Sequence, residues 1–314
     1  MQTLTLGVSS LVSSRLAYGC WRLAGTSKPA EVTPASRAAG KRALATAYEA
    51  GYTLFDNADV YCRGEAERLL GEVLREISGM RERVLIATKC GIRLPGVPHP
   101  DSPHRYDFSA THILQSCDES LRRLGLETID LYQLHRPDFL ADPEEVAAAF
   151  TRLREAGKVR YFGVSNCRPT LLTALQRACP LPLIVQQVEI SLFQRAPFTD
   201  GTLDQCLSER ITPLAWSPLA GGLLGDGAKR PLEEPVNHPV TATQAALDAV
   251  AQAHGTTRAV IALAWLLKHP SRIVPIIGTV NPARIRELAR APEIELTREE
   301  WYRLLLVARG EPLP

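Results

Sequence analysis

Four residues of this 314-residue chain stand where short apolar segments give way to polar ones: Asp56, Tyr61, Lys89 and His135. Leu54-Phe55 reads as the buried end of a strand and breaks at once into Asp56, Asn57, Asp59 and Tyr61, while Val84-Leu85-Ile86-Ala87 runs into Lys89 and Leu131 to Leu134 into His135. A buried carboxylate and a buried ammonium each cost several kcal/mol alone, so Asp56 and Lys89 are expected to pair. A phenol beside that cation is expected to lose its proton more readily than at its reference pKa of about 10, which suits Tyr61 to act as a general acid toward a carbonyl oxygen. His135 can add a second hydrogen bond to the same oxygen and stabilise the charge developing there. The set holds no strong nucleophile and no metal-ligand pattern, so the attacking group must come from outside the chain. Hydride from a nicotinamide fits that requirement.

Further along, Ser165, Asn166 and Gln187 offer the hydroxyl and amide groups that fix a carboxamide, and Trp216 offers a flat face for stacking. Arg284, at the start of the helix after the last strand, can take a 2'-phosphate by bidentate hydrogen bonds, with helical N–H groups nearby. Each of these residues also has an ordinary structural reading. Asp56, Lys89 or His135 alone could be a surface ion pair or a satisfied polar residue, and Trp21 and Trp216 could be core. Arg136 with Asp138 reads as a local ion pair and Asp59 as a loop-stabilising acid. The functional reading rests on the ensemble, because complementary groups at the ends of several strands are a poor match to chance.

The elements that must position these groups alternate. From Leu16 onward eight short strand-like runs are expected, ending near Cys20, Phe55, Lys89, His135, Ser165, Gln187, Trp216 and Gly278. Helical segments over 34–50, 65–77, 109–124, 142–156, 169–178, 203–209 and 258–268 separate them, and Ser36 is a candidate cap for the first. Strict βα alternation implies right-handed crossovers and a parallel sheet, and eight units imply a (β/α)8 barrel, a TIM barrel, with its site at the carboxyl ends of the strands. An open doubly wound sheet is the rival, but no G-x-G-x-x-G follows an early strand. A weakly alternating stretch over 2–14 reads as a β-hairpin cap. Helices over 241–254 and 298–308 lie beyond the eight repeats, and the whole chain, 1–314, reads as a single domain. The glycine-rich stretch from Leu219 to about 240 is longer than a plain connection and is expected to be a lid. Residues 95–106, rich in proline, form another long loop.

Composition sets outer limits. With 45% hydrophobic and 22% charged residues and a net charge of +2, the chain has material for a large core and no basic block to bind nucleic acid. Neither a secretory leader nor a membrane span is apparent, and a cytoplasmic location is expected. Seven cysteines without a CxxC pair suit reduced thiols better than zinc ligands or disulfides.

Taken in order, these motifs resemble the aldo-keto reductase superfamily over nearly the whole chain, and most closely its bacterial oxidoreductases. They are Tyr18-Gly19-Cys20-Trp21, Phe55-Asp56-Asn57-Ala58 with Tyr61, Ala87-Thr88-Lys89, the run from Asp130 to Asp138, Gly157-Lys158-Val159-Arg160 with Gly163-Val164-Ser165-Asn166, Trp216-Ser217-Pro218-Leu219, and Gly278-Thr279 with Arg284. The resemblance implies a reductase of aldehydes or ketones in which Tyr61 donates the proton, Lys89 and Asp56 tune it, and His135 orients the carbonyl. It implies NADP(H), with NAD(H) as the alternative, extended across the barrel top. The backbone near Cys20 and Trp21 would meet the nicotinamide ribose, and Ser165, Asn166 and Gln187 the carboxamide. Trp216, Ser217, Pro218 and Leu219 would flank the ring and pyrophosphate, and Gly278, Thr279 and Arg284 the adenosine end. Gln186, Trp216 and Leu288 depart from the common pattern, and no lysine follows Ile277, which leaves Arg284 as the main phosphate ligand. The expected partner is a small carbonyl compound. A nicotinamide-binding regulatory subunit, as among potassium-channel β subunits, and a barrel hydrolase or isomerase without redox cofactor are the competing functions.

Overall fold

The computed structural model describes residues 1–226 and 239–313. Its centre is a closed barrel of eight parallel strands: β3 (Ala17–Gly19), β4 (Leu54–Asp56), β5 (Leu85–Cys90), β8 (Ile129–Leu134), β9 (Val159–Ser165), β10 (Leu183–Glu189), β11 (Thr212–Trp216) and β12 (Val274–Ile277). Helices α1 (Pro34–Glu49), α2 (Glu65–Glu76), α3 (Ala110–Leu124), α4 (Pro143–Glu155), α5 (Pro169–Ala178), α6 (Thr202–Ser208) and α8 (Arg258–Leu267) connect successive strands. The expected (β/α)8 architecture is therefore present. So is the hairpin cap, β1 (Thr3–Thr5) against β2 (Val12–Ser14), and so are the two added helices, α7 (Val240–Ala253) and α10 (Arg298–Arg309). A further short helix, α9 (Pro282–Leu288), follows β12.

Details at the ends of elements differ from the sequence reading. Thr33, not Ser36, caps α1, and Ser36 completes a reciprocal capping box from the third helical position. The long loop after β5 contains a two-residue hairpin, β6 (Ile92–Arg93) with β7 (Arg105–Tyr106). The stretch expected to be a lid begins with a 3-10 turn at Ala220–Gly222, and its part from 227 to 238 lies outside the described residues.

The barrel interior changes character along its axis. Near the amino ends of the strands, Ala17, Leu54, Ala87, Leu131, Val185, Leu214 and Val274 form an apolar cluster with Leu4, Leu6 and Leu11 of the hairpin, which plugs that end. Side chains two residues apart on a strand share a face, so each strand delivers its next inward residue one layer higher. On β4 that step leads from Leu54 to Asp56, on β5 from Ala87 to Lys89, on β8 from Leu131 to Gln133, and on β10 from Val185 to Gln187. The polar layer at the mouth is thus a product of strand register, not of loop placement.

Around the barrel, helices pack by close backbone approach. On α2, Ala66, Leu69, Leu70, Val73 and Leu74 are buried at helical spacing, and a Cβ on Gly71 would meet the carbonyl oxygen of Leu124 at 2.3 Å. Alanine has the better helix propensity by about 1 kcal/mol, but overpacking against a rigid backbone costs roughly 1–3 kcal/mol. Gly71→Ala is therefore expected to be destabilising, read as a lower urea midpoint with an unchanged slope; a higher midpoint would refute this packing. Farther round, Trp265 and Trp301 stack with ring centroids 4.8 Å apart and planes at 8°. Each indole N–H donates to the other residue's carbonyl, at 3.1 and 2.9 Å, tying α10 to α8.

Candidate active site

Four strand ends meet at the carboxyl mouth of the barrel. The Lys89 ammonium is fully buried and donates to Asp56 Oδ1 at 2.7 Å, Asp56 Oδ2 at 2.8 Å and the Asn57 carbonyl at 2.6 Å. An ammonium has three protons, so all of them are engaged. Asp56 Oδ1 also accepts from Gln187 Nε2 at 2.8 Å, which ties β10 to β4 across the barrel. Beyond Asp56 the chain stays pinned to β5, because Asn57 N donates to the Ala87 carbonyl and Asp59 N to that of Lys89. It then turns through Tyr61, where Cys62, Arg63 and Gly64 all carry positive φ, at 46°, 50° and 89°. Two non-glycine residues in that region store strain beside the phenol, as functional loops often do.

The Tyr61 ring is bounded on three sides. Lys89 Nζ lies 5.1 Å from its centroid, His135 meets it edge-on at 5.8 Å, and Trp21 edge-on at 5.0 Å. Trp21 is 51% exposed, so it is a rim residue and not part of the core. Burial pushes the Tyr61 phenol well above its ordinary pKa, with the Asp56 carboxylate adding to the effect and Arg136 opposing it. This reverses the expected direction. With its protons committed to Asp56 and Asn57, Lys89 acts as half of a neutralised pair. The phenol therefore keeps its proton, the state a general acid needs. His135 moves the other way: burial, then Lys89 and Arg136, hold its imidazole neutral by lowering its pKa well below the usual value. Its Nδ1 is buried without a hydrogen-bond partner among the described residues. The Nε2–H tautomer leaves only a lone pair unpaired there and keeps a donor for a ligand.

Next to this group lies a set of amides and hydroxyls. Asn166, at φ 57°, donates from Nδ2 to the His135 carbonyl at 3.1 Å and to Ser165 Oγ at 2.7 Å. Its Oδ1 accepts from Trp216 Nε1 at 3.0 Å, fixing the half-buried indole, and Ser165 Oγ donates to the Gln187 carbonyl at 2.9 Å. Ser165, Asn166, Gln187 and Trp216 are thus one connected group at the mouth, with the turn through Ser217, Pro218 and Leu219 beside it. Gly19 leads into Cys20, which is fully buried. Across the rim, Tyr18 Oη donates to the Thr279 carbonyl just beyond Gly278. Arg284 is exposed, and one guanidinium nitrogen donates to the Asp226 carbonyl at 3.3 Å. The helical amides expected beside it are already taken, since Asn281 Oδ1 accepts from the N–H groups of Ala283 and Arg284. Leu288 is buried and has no route to a ligand.

Two residues were misread or overlooked in the sequence. Arg136 does not pair with Asp138, whose oxygens accept from the backbone of Phe108 and Leu140. Its guanidinium instead lies over the Trp216 ring, 5.3 Å from the centroid. Glu189 escaped notice, although its spacing of two from Gln187 carries the signal that it stands one layer higher on the same face. Asp59, read as a loop acid, is a carboxyl whose pKa burial and Glu67 push well up. All seven cysteines are buried free thiols, and no His/Cys/Asp/Glu group among the described residues could hold a metal ion.

A parallel eight-stranded barrel with a lysine–aspartate pair, a phenol and a neutral imidazole at its mouth belongs to an enzyme class, the oxidoreductases acting on alcohol and carbonyl groups. The chain is a member of the aldo/keto reductase family, whose sequence profile matches residues 15–306. It is 42% identical to a 6-dehydroglucose reductase of Novosphingobium aromaticivorans, covering 98% of this chain and 96% of that protein. A 6-dehydroglucose reductase of Agrobacterium fabrum is 38% identical over 99% of both chains. Among solved structures, the glycerol dehydrogenase of Gluconobacter oxydans superposes with a TM-score of 0.85 at 25% identity, over 99% of this chain and 97% of that one. Enzymes of this family use nicotinamide cofactors and act on small carbonyl substrates.

Proposed function

We propose that the protein reduces an aldehyde or ketone to the alcohol with NADPH. The observation that carries this reading is the Tyr61 phenol edge-on to His135 at 5.8 Å, beside a Lys89–Asp56 pair whose ammonium protons are all engaged. The residues present suit the cofactor: with the N–H and O–H donors of Ser165, Asn166 and Gln187 engaged among themselves and with their neighbours, the side-chain carbonyl oxygens of Asn166 and Gln187 can accept from a carboxamide, Trp216 offers a flat face, and Arg284 an exposed fork for a 2'-phosphate. When bound, the reduced nicotinamide supplies the hydride that adds to the carbonyl carbon. Tyr61 Oη donates its proton to the carbonyl oxygen as that oxygen gains charge, and His135 Nε2–H donates a second hydrogen bond to it. Lys89 then lies close to the phenolate, which is reprotonated before the next turnover. Because two similar reductases are named for 6-dehydroglucose, sugar-derived aldehydes are the substrates to assay first. Buried free thiols suit the reducing cytoplasm, and no helix among the described residues is long and apolar enough to cross a membrane.

The test is titration with NADPH and NADH, followed by tryptophan quenching, and then a carbonyl panel read by loss of reduced-nicotinamide absorbance. Arg284→Ala is expected to weaken NADPH binding about 10- to 100-fold, the worth of a charge-assisted pair, while changing NADH affinity little. Equal loss for both cofactors would contradict the assigned phosphate contact. Tight binding without turnover on any carbonyl would favour a regulatory subunit, and no binding of either cofactor would remove the redox reading.

A further inference from the structure

Arg136 is the next residue after His135, half-buried at the mouth, and its charge reaches both His135 and Tyr61. No carboxylate lies within salt-bridge distance of it among the described residues, and no protein acceptor hydrogen-bonds its guanidinium. Among the described residues only the face of Trp216 supports it. A guanidinium presents five N–H donors in a fixed fork, and none of those of Arg136 is buried without a partner, so they stand open at the mouth where a ligand can take them. Glu189 stands nearby. It is half-buried and in register with Trp216 between β10 and β11. Burial raises its pKa and Arg136 opposes the rise, so the two groups feel each other without forming an ion pair. Fork and carboxyl therefore flank the indole together, one layer above the reacting groups.

We propose that Arg136 and Glu189 are the specificity-determining pair of the site. Arg136 donates to, and Glu189 accepts from, hydroxyl groups on the carbons beside the substrate carbonyl. This rests on the carbonyl-reductase reading and narrows its substrate class to neutral hydroxyaldehydes. An aldehyde lacking those hydroxyls leaves both groups unmet. One bearing a carboxylate satisfies Arg136 but is repelled by Glu189.

The experiment measures kcat/KM with NADPH for D-glyceraldehyde, propionaldehyde and succinic semialdehyde, on the wild type and on Arg136→Met, Arg136→Lys and Glu189→Gln. Retained NADPH quenching shows that each variant is folded. The wild type is expected to favour D-glyceraldehyde over propionaldehyde, and Arg136→Met to shrink that ratio roughly 10- to 100-fold, mainly through KM, as expected for hydrogen bonds to a charged donor. Arg136→Lys, which keeps the charge and loses the fork, should fall between, and Glu189→Gln should raise succinic semialdehyde relative to D-glyceraldehyde. Reduction of all three aldehydes without discrimination, or a ratio untouched by Arg136→Met, overturns the pair and leaves the reductase reading standing. Reduction of none of them, with NADPH still bound, overturns the reductase reading and this inference with it.

Discussion

Tyr61→Phe is expected to lower kcat about 10²- to 10⁴-fold, the range general-acid catalysis supplies. The loss should fall on chemistry alone. The Tyr61 hydroxyl makes no hydrogen bond within the described protein, so phenylalanine keeps the ring packing against Trp21, His135 and Lys89. NADPH quenching and the unfolding midpoint should therefore stay near wild type. The pH profile carries a second sign. A phenol whose pKa burial holds well above its ordinary value keeps its proton through neutrality, so wild-type reduction should lose activity only at clearly alkaline pH, as the acid form is depleted. That alkaline limb should be absent from the residual activity of the variant. Unchanged turnover in Tyr61→Phe would show that another group delivers the proton.

Lys89→Met should be damaging in two separate ways. It removes the cation beneath the phenol, and it leaves the Asp56 carboxylate buried with only Gln187, among the described residues, as a hydrogen-bond donor. Breaking a buried pair by deleting one partner costs about 3–5 kcal/mol, because the remaining charge is uncompensated. A loss of that order is expected in denaturant unfolding at neutral pH. The double change Asp56→Asn with Lys89→Met removes both charges and should recover much of the stability, since a neutral amide can still meet Gln187. Activity should not return with it. A single variant as stable as wild type would mean that the pair matters little to folding, and recovery of turnover in the double variant would mean that it matters little to chemistry.

The parts of this site that were legible in the sequence are those fixed by period and register. Leu54 to Asp56, Ala87 to Lys89 and Val185 to Gln187 each place a polar residue two positions after an apolar one, and a closed parallel barrel brings such positions together. The cap of α1 is Thr33, three residues before the expected Ser36; serine and threonine are both competent caps, and spacing alone does not rank them. The direction of the Tyr61 shift was not legible. It depends on how deeply the phenol is buried and on the nearness of the Asp56 carboxylate, and both are properties of three-dimensional geometry. Nor was the isolation of Arg136, since Asp138 is its natural partner by spacing and only the fold reveals that two backbone amides claim that carboxylate first.

The four tryptophans divide cleanly between two jobs. Trp21 and Trp216 stand at the mouth, whereas Trp265 and Trp301 lie locked face to face where the last helix crosses the wall. Two parallel indoles so close behave optically as one coupled chromophore, and that coupling lasts only while α10 stays docked. The molecule thus carries two built-in reporters. Ligand entry speaks through the emission of one pair, while loss of the fold speaks through the near-ultraviolet circular dichroism of the other.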